Sequence, residues 1–353
     1  MECSVGLIYR RIGLDWLGPA RQKLCFLKRM KEPFANSYEF PGGKLRNLES
    51  PYDALIRELS EEVGVNIDDC VLIKSGQKVD NTKIHVIYFN KLFHKYINFD
   101  VTIHVYLVSL PENYSLISRE NRELVFKNPF IDTGSYIDTT YRVLRLFEIP
   151  NILYISDTEE HYEKWSLEKY KISALRIRKN SSNNVNYETI VKKYLDEIIN
   201  NRDINYKMSF LPKAHNHRLI IIDDVEIYSK LSQIHKNLIG GIHYKSSELM
   251  RLTKNNIWER DNKMQYISCS CHNEKEVLIA RNLNVDFILI SPVLKSKNKK
   301  QLGWEGFKTL ANHGIMPSLA LGGINNTAKY LDESIANNGV GIAGISNFWD
   351  TFN

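Results

Sequence analysis

Gly43, Glu49, Arg57, Glu58, Glu61, Glu62 and Gly64 fall in one short stretch, and no other part of the chain concentrates so much chemistry. Glu58, Glu61 and Glu62 stand at i, i+3 and i+4, which on a helix directs all three carboxylates from one face. Like charges in that arrangement repel and give the helix no structural benefit. A hard divalent cation accounts for them, because Mg²⁺ takes carboxylate oxygens, retains several waters and bridges to substrate phosphates. Arg57, four residues before Glu61, supplies a counter-charge that can hold the ridge in place. An ordinary solvated acidic face would not also need Gly42-Gly43 upstream, Glu49 at the helix entry and Gly64 at its stop.

The surrounding residues supply elements that can position this helix. Ser4–Tyr9 and Lys23–Leu27 read as two strands flanking a loop with glycine and proline, and Tyr38-Glu39-Phe40-Pro41 leads into the glycine turn. After the helix, β-branched and aromatic runs at Cys70–Lys74, Ile84–Phe89 and Val101–Leu110 predict further strands, and Thr139–Phe147 a closing helix. The stretch from Val79 to Lys91 reads as an insertion.

The offsets from Gly43 to Val65 match every fixed position of the Nudix box, G-x5-E-x7-R-E-U-x-E-E-x-G-U with U aliphatic. Within the Nudix hydrolases the segment Ala35-Asn36-Ser37-Tyr38-Glu39-Phe40-Pro41-Gly42-Gly43-Lys44 resembles the MutT type, which hydrolyses 8-oxo-dGTP. The resemblance implies an α+β Nudix sandwich, a hydrolase of phosphorus-containing anhydrides, and Mg²⁺ as cofactor, with Mn²⁺ as its substitute. It places the metal on Gly43, Glu58, Glu61 and Glu62, and catalysis on Arg57, Glu58, Glu61 and a later loop glutamate. Glu120 is the candidate for that last role, with Glu123 as its neighbouring competitor. The general base is then Glu58 or the loop glutamate, and Lys28 or Arg29 can stabilise phosphate charge. Asn36, Glu39, Phe40 and Gly42 complete the expected substrate contacts. Where the MutT type reads the purine with an asparagine at the start of its last helix, this chain has Thr140, which offers a hydroxyl in place of an amide.

With 353 residues the chain can form two cored domains. Pro150 marks a linker at 148–151, separating a first domain at 1–147 from a second at 152–353. In the second, apolar runs at Ile152–Ser156, Ala174–Arg178, Arg218–Ile222, Gly240–Tyr244, Tyr266–Cys269, Phe287–Ser291, Pro317–Leu321 and Val340–Gly344 alternate with helical stretches, Val225–Lys236 among them. That alternation predicts an α/β TIM (β/α)8 barrel. Ile290-Ser291-Pro292-Val293, Leu321-Gly322-Gly323-Ile324 and Gly241-Ile242-His243 resemble thiamine phosphate synthase and its TenI-like relatives. By that resemblance Ser296, Gly322, Gly323 and Gly344 form a phosphate site at the barrel mouth, for a phosphorylated ligand. The synthase's metal-binding Asn-Asp-Arg step is Ile222-Asp223-Asp224 here, and its Gly-Gln-x-Asp step is Lys245-Ser246-Ser247-Glu248. Asp223 remains available for a metal, but losing the other members predicts a degenerate barrel, because such groups act as a unit.

A net charge of +6 favours phosphate-bearing ligands, and the absence of a basic stripe with interleaved aromatics argues against direct nucleic-acid binding. Five scattered cysteines suit reduced thiols in a cytoplasm. Cys269-Ser270-Cys271-His272 has no second ligand pair for zinc and reads as strand cysteines. No signal peptide and no run of membrane-spanning length is present, so no membrane partner is expected. The expected function is therefore clearance of an oxidised purine nucleoside triphosphate from the nucleotide pool, a mutation-avoidance role linked to DNA repair. Two alternatives stand beside it: a bifunctional thiamine-pathway enzyme whose Nudix half acts on thiamine diphosphates, and a hydrolase regulated by a metabolite-sensing barrel.

Overall fold

The computed structural model describes residues 1–11, 23–73, 80–129, 134–147, 149–156, 158–168, 172–179, 186–200, 219–294, 300–346 and 348–349. The chain divides into two compact units, Met1–Phe147 and Glu148–Asn353.

In the first unit, β1 (Glu2–Arg10), β2 (Leu24–Lys28), β3 (Tyr38–Glu39) and β4 (Gly42–Lys44) precede α1 (Pro51–Val63), followed by β5 (Cys70–Leu72), β6 (Ile84–Lys95), β7 (Asp100–Leu110), β8 (Leu124–Lys127) and α2 (Asp138–Leu146). A mixed sheet runs β4-β1-β7-β6-β5, and a smaller one runs β3-β2-β8. The helix α1 begins at Ser50, whose side chain accepts the Asp53 N–H. Pro51 occupies its first turn, and it stops at Gly64 in the left-handed region. Its apolar stripe of Leu55, Ile56, Leu59 and Val63 is buried against Ile8, Tyr106 and Val108, at about 1.5–3 kcal/mol per large side chain. The charged ridge is thereby forced to the other side. From Ile84 the chain is one long strand, with a register shift between Tyr88 and Asn90 in its pairing with β7. At that shift Phe89 stacks on Phe147 with centroids 4.5 Å apart.

In the second unit, β9 (Ile152–Ser156), β10 (Ala174–Ile177), β11 (Leu219–Ile222), β12 (Ile239–Tyr244), β13 (Tyr266–Cys271), β14 (Phe287–Ile290), β15 (Ser318–Leu321) and β16 (Gly341–Gly344) pair in parallel and close into a barrel. The helices are α3 (Glu159–Glu168), α4 (Tyr187–Asn200), α5 (Val225–Lys230), α6 (Gln233–Lys236), α7 (Ser246–Leu249), α8 (Glu274–Asn282), α9 (Gly303–Gly314) and α10 (Ala328–Ala336). The single helix expected over Val225–Lys236 is broken. Leu231 is extended (ψ 148), and Ser232 caps a second start by accepting the His235 N–H. Cys269 and Cys271 are buried thiols of β13, and the His272 ring Nδ1 lies 2.6 Å from the Ser291 carbonyl. No helix among the described residues is long and apolar enough to cross a membrane.

His243 lies fully buried, its ring nitrogens 3.0 and 2.9 Å from the Ser268 and Ser270 hydroxyls. Burial pushes its pKa well below the usual value of 6.5, helped by the positive charges of Arg176, Lys245 and Arg178. The folded state therefore keeps a neutral ring while the unfolded chain takes up a proton below about pH 6.5. Stability conferred by this group is present above that pH and falls as acid is added, by up to about 1.4 kcal/mol per pH unit. Urea unfolding at pH 7 and pH 5.5 should show the loss, and His243→Gln should remove this group's share of it. Equal acid sensitivity in the two proteins would exclude His243 as the source.

Candidate functional site

The glycine turn is fixed by strand pairing. Ser4 pairs with Gly43 and Val5 with Gly42 across β1 and β4, and the Gly6 N–H donates to the Pro41 carbonyl at 2.9 Å. This lays Gly42-Gly43 directly along the charged ridge of α1. A Cβ added at Gly43 would come within 2.5 Å of the Glu58 carboxyl carbon, so the absence of a side chain is what lets Glu58 rest there. The Gly42 N–H donates to Glu62 Oε2 at 2.8 Å.

Arg57 holds the ridge. Its Nε and Nη2 donate to the two oxygens of Glu49 at 2.7 and 2.9 Å. Its Nη1 reaches Glu58 at 2.7 Å and Glu61 at 3.2 Å, and Nη2 also reaches the Lys44 carbonyl at 3.1 Å. This fork-shaped contact holds the Glu49 carboxyl down to about 2 and raises the guanidinium's own pKa. Glu49 thus anchors the arginine, which in turn spaces the carboxylates.

Glu62 behaves differently. It is 6% exposed, and Arg122 Nη1 donates to its Oε1 at 2.6 Å. Burial is the largest influence and pushes its carboxyl up to about 8, outweighing the Gly42 N–H and Arg122, which act in the opposite direction. Arg122 also pairs with Glu39, and Glu39 with Arg29 at 2.6 Å, giving an alternating chain Arg29–Glu39–Arg122–Glu62. Arg122 arrives on the loop after β7, which binds the end of α1 through Ile117 N–H to the Val63 carbonyl and Arg119 N–H to the Glu62 carbonyl.

Other expected residues lie in and around this network. Glu120 is exposed and 4.0 Å from Arg122, while Glu123 turns to Lys28 at 3.4 Å. Asn36 is exposed in a turn with φ 66. Phe40 is buried and stacks on Phe26 at 4.8 Å, which makes it a core residue. Thr140 is 3% exposed and offers little surface to a base. Its neighbour Thr139 instead accepts a hydrogen bond from the Tyr96 hydroxyl at 3.2 Å. The Tyr96 ring packs near those of Phe34 and Phe99, at 6.1 and 4.6 Å, and both of these are partly open to solvent. Sequence reasoning passed over Arg122 and Tyr96. An arginine two residues from the candidate loop glutamate was the available signal for Arg122, and no local pattern marked Tyr96.

The carboxylate set suits a hard cation in donor type, and Gly43 leaves room for Glu58 beside the backbone turn. Among the described residues no three acidic, histidine or cysteine side chains converge on a ready-formed cluster, and Arg57 and Arg122 engage these carboxylates. A divalent cation at the ridge would offset the burial of Glu62.

In the second unit Ser296 lies outside the described residues. Gly322 and Gly323 follow β15 with φ 99 and 73, a turn that glycine adopts without strain. A Cβ on Gly344 would lie 2.6 Å from that of buried Phe348, so this glycine makes room for an aromatic ring.

Comparison with known proteins gives the classes directly. Residues 16–124 match the family model of the NUDIX domain, and residues 204–348 match that of thiamine monophosphate synthase. The chain thus carries a NUDIX domain followed by a thiamine monophosphate synthase-like barrel. Over 44 residues, 12% of this chain, it is 46% identical to an 8-oxo-dGTP diphosphatase of Proteus vulgaris, and it spans 39% of that relative's length. Among solved structures, thiamine phosphate pyrophosphorylase from Pyrococcus furiosus is similar at 16% identity and TM-score 0.40, over 57% of this chain and 90% of that one. A MutT/nudix family protein from Enterococcus faecalis is similar at 20% identity and TM-score 0.26, over 35% and 42% of the two chains.

Proposed function

We propose that the first unit is a Mg²⁺-dependent pyrophosphohydrolase that converts 8-oxo-dGTP, or a closely related oxidised purine nucleoside triphosphate, to the monophosphate and pyrophosphate. The observation that carries this reading is the Gly42-Gly43 turn set against Glu58 and Glu62, with Arg57 spacing the ridge. The NUDIX match and the stretch similar to an 8-oxo-dGTP diphosphatase support the reaction class and the substrate.

Glu58, Glu61 and Glu62 would hold the cation, which when bound offsets the phosphate charge and makes water more acidic. The remaining work falls to the chain's own groups. Water attacks one phosphorus of the α–β anhydride, and the new P–O bond forms as the bond from that phosphorus to the bridging oxygen breaks. The electrons of the broken bond leave on the departing phosphate, and the water proton passes to a carboxylate, Glu58 or Glu120. Arg29, Lys28 and Arg122, linked through Glu39 and the Lys28 carbonyl, would meet the phosphate oxygens. Phe34, Tyr96 and Phe99 offer ring faces on which a purine can stack, an interaction worth about 1–3 kcal/mol. The second unit, in this reading, does not join thiazole to pyrimidine.

A panel of 8-oxo-dGTP, dGTP, other nucleoside triphosphates and thiamine diphosphates, assayed with Mg²⁺, tests the substrate. We expect kcat/KM for 8-oxo-dGTP to exceed that for dGTP by about tenfold to a hundredfold, the range one or two buried hydrogen bonds provide. Preference for a thiamine diphosphate would favour the thiamine-pathway alternative instead.

A further inference from the structure

Asp223 follows β11 at the barrel's strand ends, and the likeness to thiamine phosphate synthase places a metal-binding acid there. Its surroundings do not fit a metal. Arg176, on β10, donates through Nε to Oδ1 at 2.7 Å and through Nη2 to Oδ2 at 2.8 Å. The Lys179 N–H adds a third donor to Oδ2 at 3.1 Å. Arg176 and Asp223 are 3% and 4% exposed. The Tyr187 hydroxyl closes the same corner by accepting the Asp223 N–H at 2.8 Å and donating to the Ile177 carbonyl at 2.6 Å.

The adjacent Asp224 is equally engaged. Its Oδ1 caps α5 by accepting the Glu226 and Ile227 N–H groups at 2.9 and 3.0 Å. Its Oδ2 takes the Lys179 ammonium at 2.5 Å. On the next strand, buried His243 lies between two serine hydroxyls, and Glu248, at the step matching the synthase's second acid, is already engaged by the Lys245 N–H at 2.9 Å. Lys245 itself adds a cation that donates to the Lys179 carbonyl at 2.6 Å. Every carboxylate oxygen of Asp223 and Asp224 therefore already has an N–H donor, and the Arg176 and Lys179 cations lie directly against them. Mg²⁺ or Mn²⁺ needs about six oxygens in near-octahedral array. A guanidinium cannot give up its charge to make room for one.

We propose that Arg176 has taken the place of a divalent cation at Asp223, making the second unit a metal-independent barrel. The inference stands whether or not the first unit is the hydrolase proposed above. The paired charges fix the ends of β10 and β11 to each other, as a bound ion would, but offer nothing to a departing diphosphate. Metal-assisted synthase chemistry is thereby removed at its first requirement.

The test uses the full chain carrying Glu58→Gln and Glu62→Gln, which disables the ridge of the first unit, and Mn²⁺ followed by electron paramagnetic resonance. We expect no bound Mn²⁺ at millimolar concentration and no Mn²⁺-dependent shift in the unfolding midpoint of the barrel. Adding Arg176→Met should expose Asp223 and produce at least a tenfold rise in Mn²⁺ affinity, abolished by Asp223→Asn. If Arg176→Met does not fold, Arg176→Met with Asp223→Leu removes both charges together and should fold without binding Mn²⁺. One equivalent of Mn²⁺ held by the ridge-disabled chain and lost on Asp223→Asn would overturn the proposal. So would failure of both Arg176 variants to fold when millimolar Mn²⁺ rescues the first. Failure of the unaltered chain to bind Mn²⁺ would count against the hydrolase reading alone.

Discussion

Glu62→Gln is expected to lower Mg²⁺-dependent turnover by about 10³-fold, the rate equivalent of about 4 kcal/mol, while leaving the fold in place. The amide matches the carboxylate in shape, but its single oxygen can accept only one of the Gly42 N–H and Arg122 Nη1 donors, and it has no charge with which to hold a cation. Burial raises the Glu62 carboxyl to about 8, above its usual range near 4.5, so the folded chain holds that proton more tightly than the unfolded one. Stability from this group is therefore complete below about pH 4.5 and declines as pH rises through 8. The glutamine variant lacks this decline, so without metal its stability should vary less between pH 4.5 and pH 8 than that of the unaltered chain. Saturating Mg²⁺ should stabilise the unaltered chain and leave the variant unchanged, since a ligand stabilises only the protein that binds it. Turnover assays and thermal unfolding with and without Mg²⁺ check both parts. Near-normal turnover at saturating Mg²⁺ would take Glu62 out of the mechanism.

What the sequence made visible follows from the range of the interactions. The ridge of α1 could be read because its members lie within two helical turns, where the period alone brings them together. The barrel could be read because each strand is a short apolar run closed off by a helix, a pattern that repeats locally. The short strand β8 was missed because Leu124-Val125-Phe126-Lys127 is half-buried throughout and has no clean alternation. Arg122 and Arg176 were missed for a different reason. Their partners are separated from them by 60 residues for Arg122–Glu62 and 47 for Arg176–Asp223. In sequence, Arg176 merely interrupts the run Ala174-Leu175-Arg176-Ile177. Closing the barrel is what sets it beside Asp223. Ion pairs of this kind carry no local signature, so sequence reasoning can count the charges but cannot match them. The same limit left Asp223 looking free for a metal.

The adjacent glycines of the turn should respond differently to alanine. Gly42 has φ 144, and a Cβ there would overlap the Ser4 carbonyl oxygen and lie 2.8 Å from the Val5 Cα, atoms that cannot move without disrupting the β1–β4 pairing. Gly42→Ala should therefore cost about 3 kcal/mol or more of stability, with activity falling as folded protein is lost. Gly43 has no such backbone conflict. The atoms a Cβ would meet belong to the Glu58 carboxylate, the far end of a flexible side chain. Alanine also restricts the unfolded chain, which favours the folded state by about 0.4–1 kcal/mol. Gly43→Ala should thus fold with its thermal midpoint lowered by no more than about 2 °C. Glu58, however, must swing away from the turn, dragging against the Arg57 contact that spaces it from Glu61. A displacement near 1 Å at a reacting centre costs about 10²-fold in rate, and that is the loss expected in kcat, with Mg²⁺ affinity weakened alongside it. Comparing kcat, Mg²⁺ dependence and thermal midpoint for the two variants separates the roles. Full activity in Gly43→Ala would mean that Glu58 does its work from elsewhere than the turn.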